Sequence, residues 1–136
     1  MKFGRMAGAV AASAALVLGV ANTAAAADHT MHTGDVFGKI SGWSGTGYFN
    51  EYGDVVTICD KDADGYAVKM FVYLDKLYSG KRYDFYVGGN GRCATRKAAM
   101  GGKYNLPENR KIAFLFCRYK AGKESECKGY TYLNDH

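Results

Sequence analysis

The stretch I-A-F-L-F-C-R-Y-K-A-G-K-E-S-E-C-K-G-Y-T-Y-L, residues 112–133, decides the fold. Residues 112–120 are apolar and aromatic and read as one strand. Residues 126–133 read as a second. Between them, Ala121 to Ser125 form a polar turn carrying a glycine. Cys117 and Cys127 each stand five residues from Gly122. An antiparallel hairpin centred there sets the two cysteines directly opposite. Facing residues in such a ladder hold their Cα atoms ~4.5–5.5 Å apart, inside disulfide range. The hairpin therefore predicts a Cys117–Cys127 bridge. The remaining two of the four cysteines then pair as Cys59–Cys93. A zinc site would need close C-x-x-C pairs, and the sequence has none.

Working back along the chain, the same strand signature recurs. Tyr66 to Leu74 alternates, with Val68, Met70, Val72 and Leu74 on one face. Arg82 to Val87 alternates too, with Tyr83, Phe85 and Val87 together. Val55 to Cys59 is a β-branched run, and Cys93 to Lys97 is a shorter strand. Val36 to Ile40 reads as a first short strand. Residues 41–47, S-G-W-S-G-T-G, are too glycine-rich for the interior of a regular element. Residues 98–109 read as a loop with the only proline, Pro107. No stretch after the first 27 residues carries a helical stripe. The reading is an all-β fold, a small antiparallel β-sandwich of about seven strands, stapled by two disulfides.

The chain has 136 residues, room for one domain. Its start reads as an export signal. Lys2 and Arg5 precede an apolar run from Ala9 to Val20, and Ala24 to Ala27 supply a small-residue cleavage site. The organisation expected is a signal peptide over 1–27, a flexible N-terminal arm over 28–47, and the sandwich over 48–136. Removing Lys2 and Arg5 from the 18 basic residues leaves 16 against 13 acidic, a net +3 on a mature chain of 109 residues. That balance gives no basic stripe for nucleic acid. No membrane association is expected after signal cleavage. The even cysteine count fits the oxidising space outside the cytoplasm, so the expected location is extracellular.

The three histidines, His29, His32 and His136, lie at the two ends of the expected mature chain. The cysteines are committed to bridges. A proton-carrying imidazole or a thiolate nucleophile is therefore not expected in the domain. The carboxylates Glu51, Asp54, Asp84 and Glu108 have no spacing that marks a catalytic pair. The chain reads as a non-enzyme with no catalytic residues, no metal ligands and no cofactor. Asp60-Lys61-Asp62-Ala63-Asp64-Gly65 matches the start of a calcium loop, but Phe71 stands where a bidentate glutamate belongs. It reads as an acidic turn whose aspartates cap backbone amides. Cleavage one residue early would put His29 third in Ala27-Asp28-His29, a copper-binding arrangement. An exposed arm is the stronger reading. Trp43, beside Tyr48, Phe49 and Tyr52, forms an aromatic set suited to a protein or sugar surface. Arg96 and Lys97 after Cys93 suggest a protease-inhibitor loop.

The segments Y-G-D-V-V-T-I-C-D at 52–60, A-D-G-Y at 63–66, G-R-C at 91–93, L-P-E-N-R at 106–110 and F-L-F-C at 114–117 resemble a group of small exported actinobacterial proteins. Some of that group look like the small adaptor subunit of umbrella-shaped polymorphic toxin particles. The resemblance implies a β domain that bridges a large repeat-containing toxin chain and a lectin subunit. The function expected is a secreted, non-enzymatic protein-binding module, with Trp43, Tyr48, Phe49 and Tyr52 as partner-binding residues. The alternatives are a protease inhibitor and a carbohydrate or cell-wall binding module. The oligomeric state is not set by the sequence.

Overall fold

The computed structural model describes residues 28–35 and 42–136. The expected signal peptide and the expected strand at Val36 to Ile40 lie outside those residues. Eight strands form the body: β1 Asp28–His32, β2 Gly45–Asn50, β3 Val55–Asp60, β4 Ala67–Leu74, β5 Lys81–Val87, β6 Cys93–Arg96, β7 Arg110–Lys120 and β8 Lys123–Asn134. They make two antiparallel four-stranded sheets, ordered β1-β2-β3-β6 and β5-β4-β7-β8. Two short 3-10 turns, Ala98–Met100 and Gly102–Tyr104, interrupt the segment read as a loop.

The core lies between the sheets. Met31, Phe49, Val56 and Ile58 from the first meet Val68, Met70, Val72, Phe85, Ile112, Phe114 and Phe116 from the second. The period-two faces read in β4 and β5 are the ones that turn inward. β7 is different: six consecutive residues, Ile112 to Cys117, are buried. It is central in its sheet, so Ile112, Phe114 and Phe116 face the core. Ala113, Leu115 and Cys117 face outward into a second cluster with Tyr73, Phe71 and Leu77. Cover on both faces explains its unbroken apolar run.

Both disulfides form as read, Cys59–Cys93 across the facing pair of β3 and β6, and Cys117–Cys127 across β7 and β8. The hairpin reaches the second pairing by a tighter route than the sequence suggests. Lys120 pairs with Lys123, so the turn is only Ala121-Gly122, both at positive φ (50° and 76°). That is the left-handed pair of a type I′ turn, whose twist matches its strands. This register alone would leave the cysteines one place out. A bulge at Glu126 (φ 46°) inserts the missing residue and brings Cys127 opposite Cys117.

The flexible arm expected over 28–47 is corrected by β1 and β2. Residues 28–32 pair along β2, and Met31 is a fully buried core residue. The tyrosine hydroxyl of Tyr130 accepts from the His32 N–H and donates to the His32 carbonyl, 3.0 Å each, closing the outer edge of β1. Beyond β1, the Gly34 N–H bonds the Glu126 carbonyl at 2.7 Å. A Cβ on Gly34 would meet the Glu126 and Cys127 carbonyls at 2.8 and 2.7 Å, so only glycine permits that approach. The carboxylate of Asp35 accepts from the Thr33 hydroxyl and from the Ser44 N–H and hydroxyl, tying 33–35 to 44–45.

The glycine-rich stretch is a strand because the opposite sheet fills its missing side chains. Gly45, Gly47 and Phe49 face inward in alternation. A Cβ on Gly45 would lie 2.6 Å from Val68 Cγ1, and one on Gly47 would lie 3.2 Å from Met70 Cε.

Candidate binding face

The outward side of the first sheet is built from strand alternation alone. Met31, Gly47, Phe49, Val56 and Ile58 point in, so their neighbours point out. Register then aligns two adjacent cross-strand rows. One is Thr30, Tyr48, Thr57 and Thr95, and the other is His32, Thr46, Cys59 and Cys93. The Thr57 and Thr95 hydroxyls bond each other at 2.9 Å. Neither row contains Lys, Arg, Asp or Glu, so these two rows are polar and aromatic; the next row of the same sheet pairs Asp28, Asn50 and Val55, and the Lys128 charge lies near His32.

Trp43 lies on this face. Its ring stacks on His32 with centroids 3.8 Å apart and planes 14° apart. His32 Nδ1 is buried beneath it without a hydrogen-bond partner. Burial, and then the nearby Lys128 charge, lower the His32 pKa from its ordinary value. Both effects favour the neutral ring. Tyr48 is 40% exposed, and Tyr52, on the turn between β2 and β3, is 68% exposed. Three of the four residues read as partner-binding are therefore open to some degree. Phe49 is not: it is 0% exposed and packs on Phe114 at 4.9 Å, so it belongs to the core. Strand alternation explains the difference, since Phe49 follows Tyr48 and must face the other way. Sequence reasoning missed Thr30, Thr57 and Thr95, because their alignment needs the register of three strand pairs.

The second sheet's outward side contrasts with this. Lys69 stands 3.0 Å from Glu124 and 4.0 Å from Asp84, and its ammonium covers Phe71 and Tyr119 at 4.7 Å. The apolar cluster beneath it is roofed by Leu77, whose methyl fills the space over Gly129.

The acidic turn behaves as an amide cap. Asp60 accepts from the amides of Asp62 and Gly89 at 3.2 and 2.9 Å. Burial raises its pKa, and these two bonds oppose the rise. Asp64 accepts from the Tyr66 amide and from Arg118 at 2.9 and 3.0 Å. An open cleft of about 450 Å³ lies between this turn and Gly88–Asn90, with Asp60 and Tyr66 in its lining. Among the described residues the three turn carboxylates do not gather as a group within 4.8 Å of one another, whereas one ligand atom each from Glu51, Asp135 and His136 does. Arg96, read as an inhibitor residue, lays its guanidinium over the Phe85 ring at 4.8 Å and bonds the Thr95 carbonyl. It is spent on the sandwich end, and Lys97 is the exposed basic residue of that pair. Comparison with known protein families, with curated proteins and with solved structures found no match.

Proposed function

We propose that the chain is an exported, non-enzymatic protein-binding module that acts as an adaptor between subunits of an extracellular toxin assembly. The observation that carries the binding reading is the pair of polar, aromatic rows, without Lys, Arg, Asp or Glu, on the outward side of the first sheet. Flat, rigid surfaces of tyrosine, tryptophan and small hydroxyl side chains bury area at low entropic cost and leave no unpaired charge behind. Trp43 is held on His32 before any partner arrives, and the sheet fixes Tyr48 and the threonine row. Export is supported by the N-terminal charge and hydropathy pattern, and by two structural disulfides of the kind typical of oxidising compartments. The adaptor role extends this from the resemblance of the cysteine and turn motifs.

The test is affinity purification from culture supernatant with Tyr48→Lys and Thr57→Lys variants. Outward surface changes of this kind alter stability by about 0.5 kcal/mol or less. Both variants should keep the parent melting temperature and lose a large repeat-containing partner chain that the parent retains. Equal recovery by the parent and both variants refutes the assignment of this face. The stacked Trp43 also suits a sugar ring, which favours carbohydrate as the second reading. Retention on insoluble polysaccharide that disappears in Trp43→Ala would establish that reading instead.

A further inference from the structure

At one end of the sandwich, residues distant in sequence converge. The turn after β2 carries Glu51, whose side chain is only 7% exposed. From β1, the His29 ring stacks on Tyr132 at 3.9 Å, and its Nε2 lies 2.6 Å from Glu51 Oε1. The segment after β8 arrives from the other sheet and is fixed in place. The fully buried Asn134 donates to Asp54 at 2.9 Å and to the Pro107 carbonyl, and its own carbonyl accepts from the Asn109 N–H. Asp135 and His136 are thereby held over Glu51. One ligand atom each from Glu51, Asp135 and His136 lies within 4.8 Å of the others.

Two features distinguish this group from an ordinary patch of surface acids. It contains imidazole as well as carboxylate. Its recorded partners are imidazoles alone: among the described residues Glu51 pairs with His29 and Asp135 with His136, and no lysine or arginine forms an ion pair with Glu51, Asp135 or Glu108.

We infer that Glu51, Asp135 and His136 form a site for one borderline divalent cation of the zinc class, with His29 as a positioning residue for Glu51. The spacing suits this. Two ligands bound at about 2.0–2.1 Å can lie no more than about 4 Å apart, so small side-chain adjustments close the site. His136 Nε2 and Asp135 Oδ1 are already 3.4 Å apart. Asp135 and His136 are exposed enough to move, and Glu51 is held by His29. A nitrogen donor selects against calcium and magnesium, which take oxygen ligands. Three protein ligands leave a fourth position open.

The test uses untagged, disulfide-intact protein stripped of metal and titrated with Zn²⁺ by calorimetry, with thermal melting alongside. One equivalent should bind, with a melting rise of several degrees at about a hundredfold excess over Kd. Ca²⁺ should give neither effect. His136→Ala and Asp135→Asn alter exposed side chains, so the metal-free variants should melt as the parent does. Each should weaken Zn²⁺ by more than about 100-fold, and His29→Ala by about 10–100-fold, as expected for an outer-shell partner. His32→Ala should bind as the parent does. Absence of Zn²⁺ binding up to millimolar concentration, equal response to Ca²⁺, or undiminished binding by His136→Ala would each overturn the site.

Discussion

Gly45→Ala tests whether the glycines of β2 exist to admit the opposite sheet. An added Cβ would stand 2.6 Å from Val68 Cγ1 and 2.9 Å from Phe116 Cζ, both in the buried core. Overpacking of this kind costs about 1–3 kcal/mol. Replacing a strand glycine by alanine returns roughly 0.5–1 kcal/mol of backbone entropy. The net expectation is a loss of about 1–2 kcal/mol. Val68→Ala alone removes two buried methyl groups, worth about 0.8 kcal/mol each before any cavity cost. In the double variant the new methyl occupies space that Val68 vacated, so the losses should not add. The coupling should be favourable by about 1 kcal/mol, above the 0.3–0.5 kcal/mol scatter of independent sites. Equilibrium urea unfolding of the four proteins, disulfides intact, measures it, with the single tryptophan, Trp43, as the fluorescent reporter. Additivity of the two changes, or a neutral Gly45→Ala, would refute the close-approach account of β2.

Tyr130→Phe deletes one oxygen and leaves both the N–H and the carbonyl of His32 without it; stability should fall by about 1–2 kcal/mol, with the His32 amide exchanging hydrogen faster in mass-spectrometric or NMR exchange. Because the His32 pKa is lowered in the folded protein, the unfolded chain binds the extra proton first. Stability should therefore be unaffected by His32 above about pH 6.5 and should decline as pH falls below it, and His32→Gln should flatten that part of the urea-midpoint profile. The two bridges close loops of 34 and 10 residues, for which chain entropy gives about 4 and about 3 kcal/mol. Replacing Cys59 and Cys93 by alanine should thus destabilise more than replacing Cys117 and Cys127, and the reverse order in thermal melts would show that native packing around the buried Cys117 dominates.

Sequence pattern revealed the second sheet more fully than the first, for a physical reason. β4, β5, β7 and β8 carry their own side chains, so period-two alternation or a continuous apolar run marks them. β1 and β2 do not. β2 reads as a linker because Gly45 and Gly47 borrow their core volume from Val68, Met70 and Phe116, which are remote in sequence. β1 reads as a polar arm because only Met31 carries an apolar side chain into the core; its edge is closed by a hydroxyl from β8. The same limit applies to the binding face. Trp43, Tyr48 and Tyr52 stand out by residue type. The threonine row does not, because a threonine becomes part of a surface only when register sets it beside others. Phe49 shows the opposite error, in which residue type suggested a surface role and strand parity assigned the core.

This correction changes the grounds of the functional argument. In the sequence the histidines sit at the margins of the expected mature chain, far from the candidate carboxylates Asp54, Asp84 and Glu108 of its middle. An antiparallel sandwich returns those margins to one another, and here it brings both His29 and His136 close to Glu51. The place of the histidines in the sequence therefore gives no ground for a non-enzymatic reading. His32 lies beneath Trp43 with its pKa lowered by burial, and His29 is directed at Glu51. The proposed cation site bears directly on this, because it has an open position beside exposed side chains. The proposed partner-binding face lies on the outward side of the first sheet, and the proposed cation cluster lies at the sandwich end. The two can be separated by mutation: Thr57→Lys addresses only the first, and His136→Ala only the second. If partner capture survives His136→Ala and fails in Thr57→Lys, recognition belongs to the outward side of the first sheet and the cation has a separate role. Loss of capture in both would make the sandwich end part of the same interface.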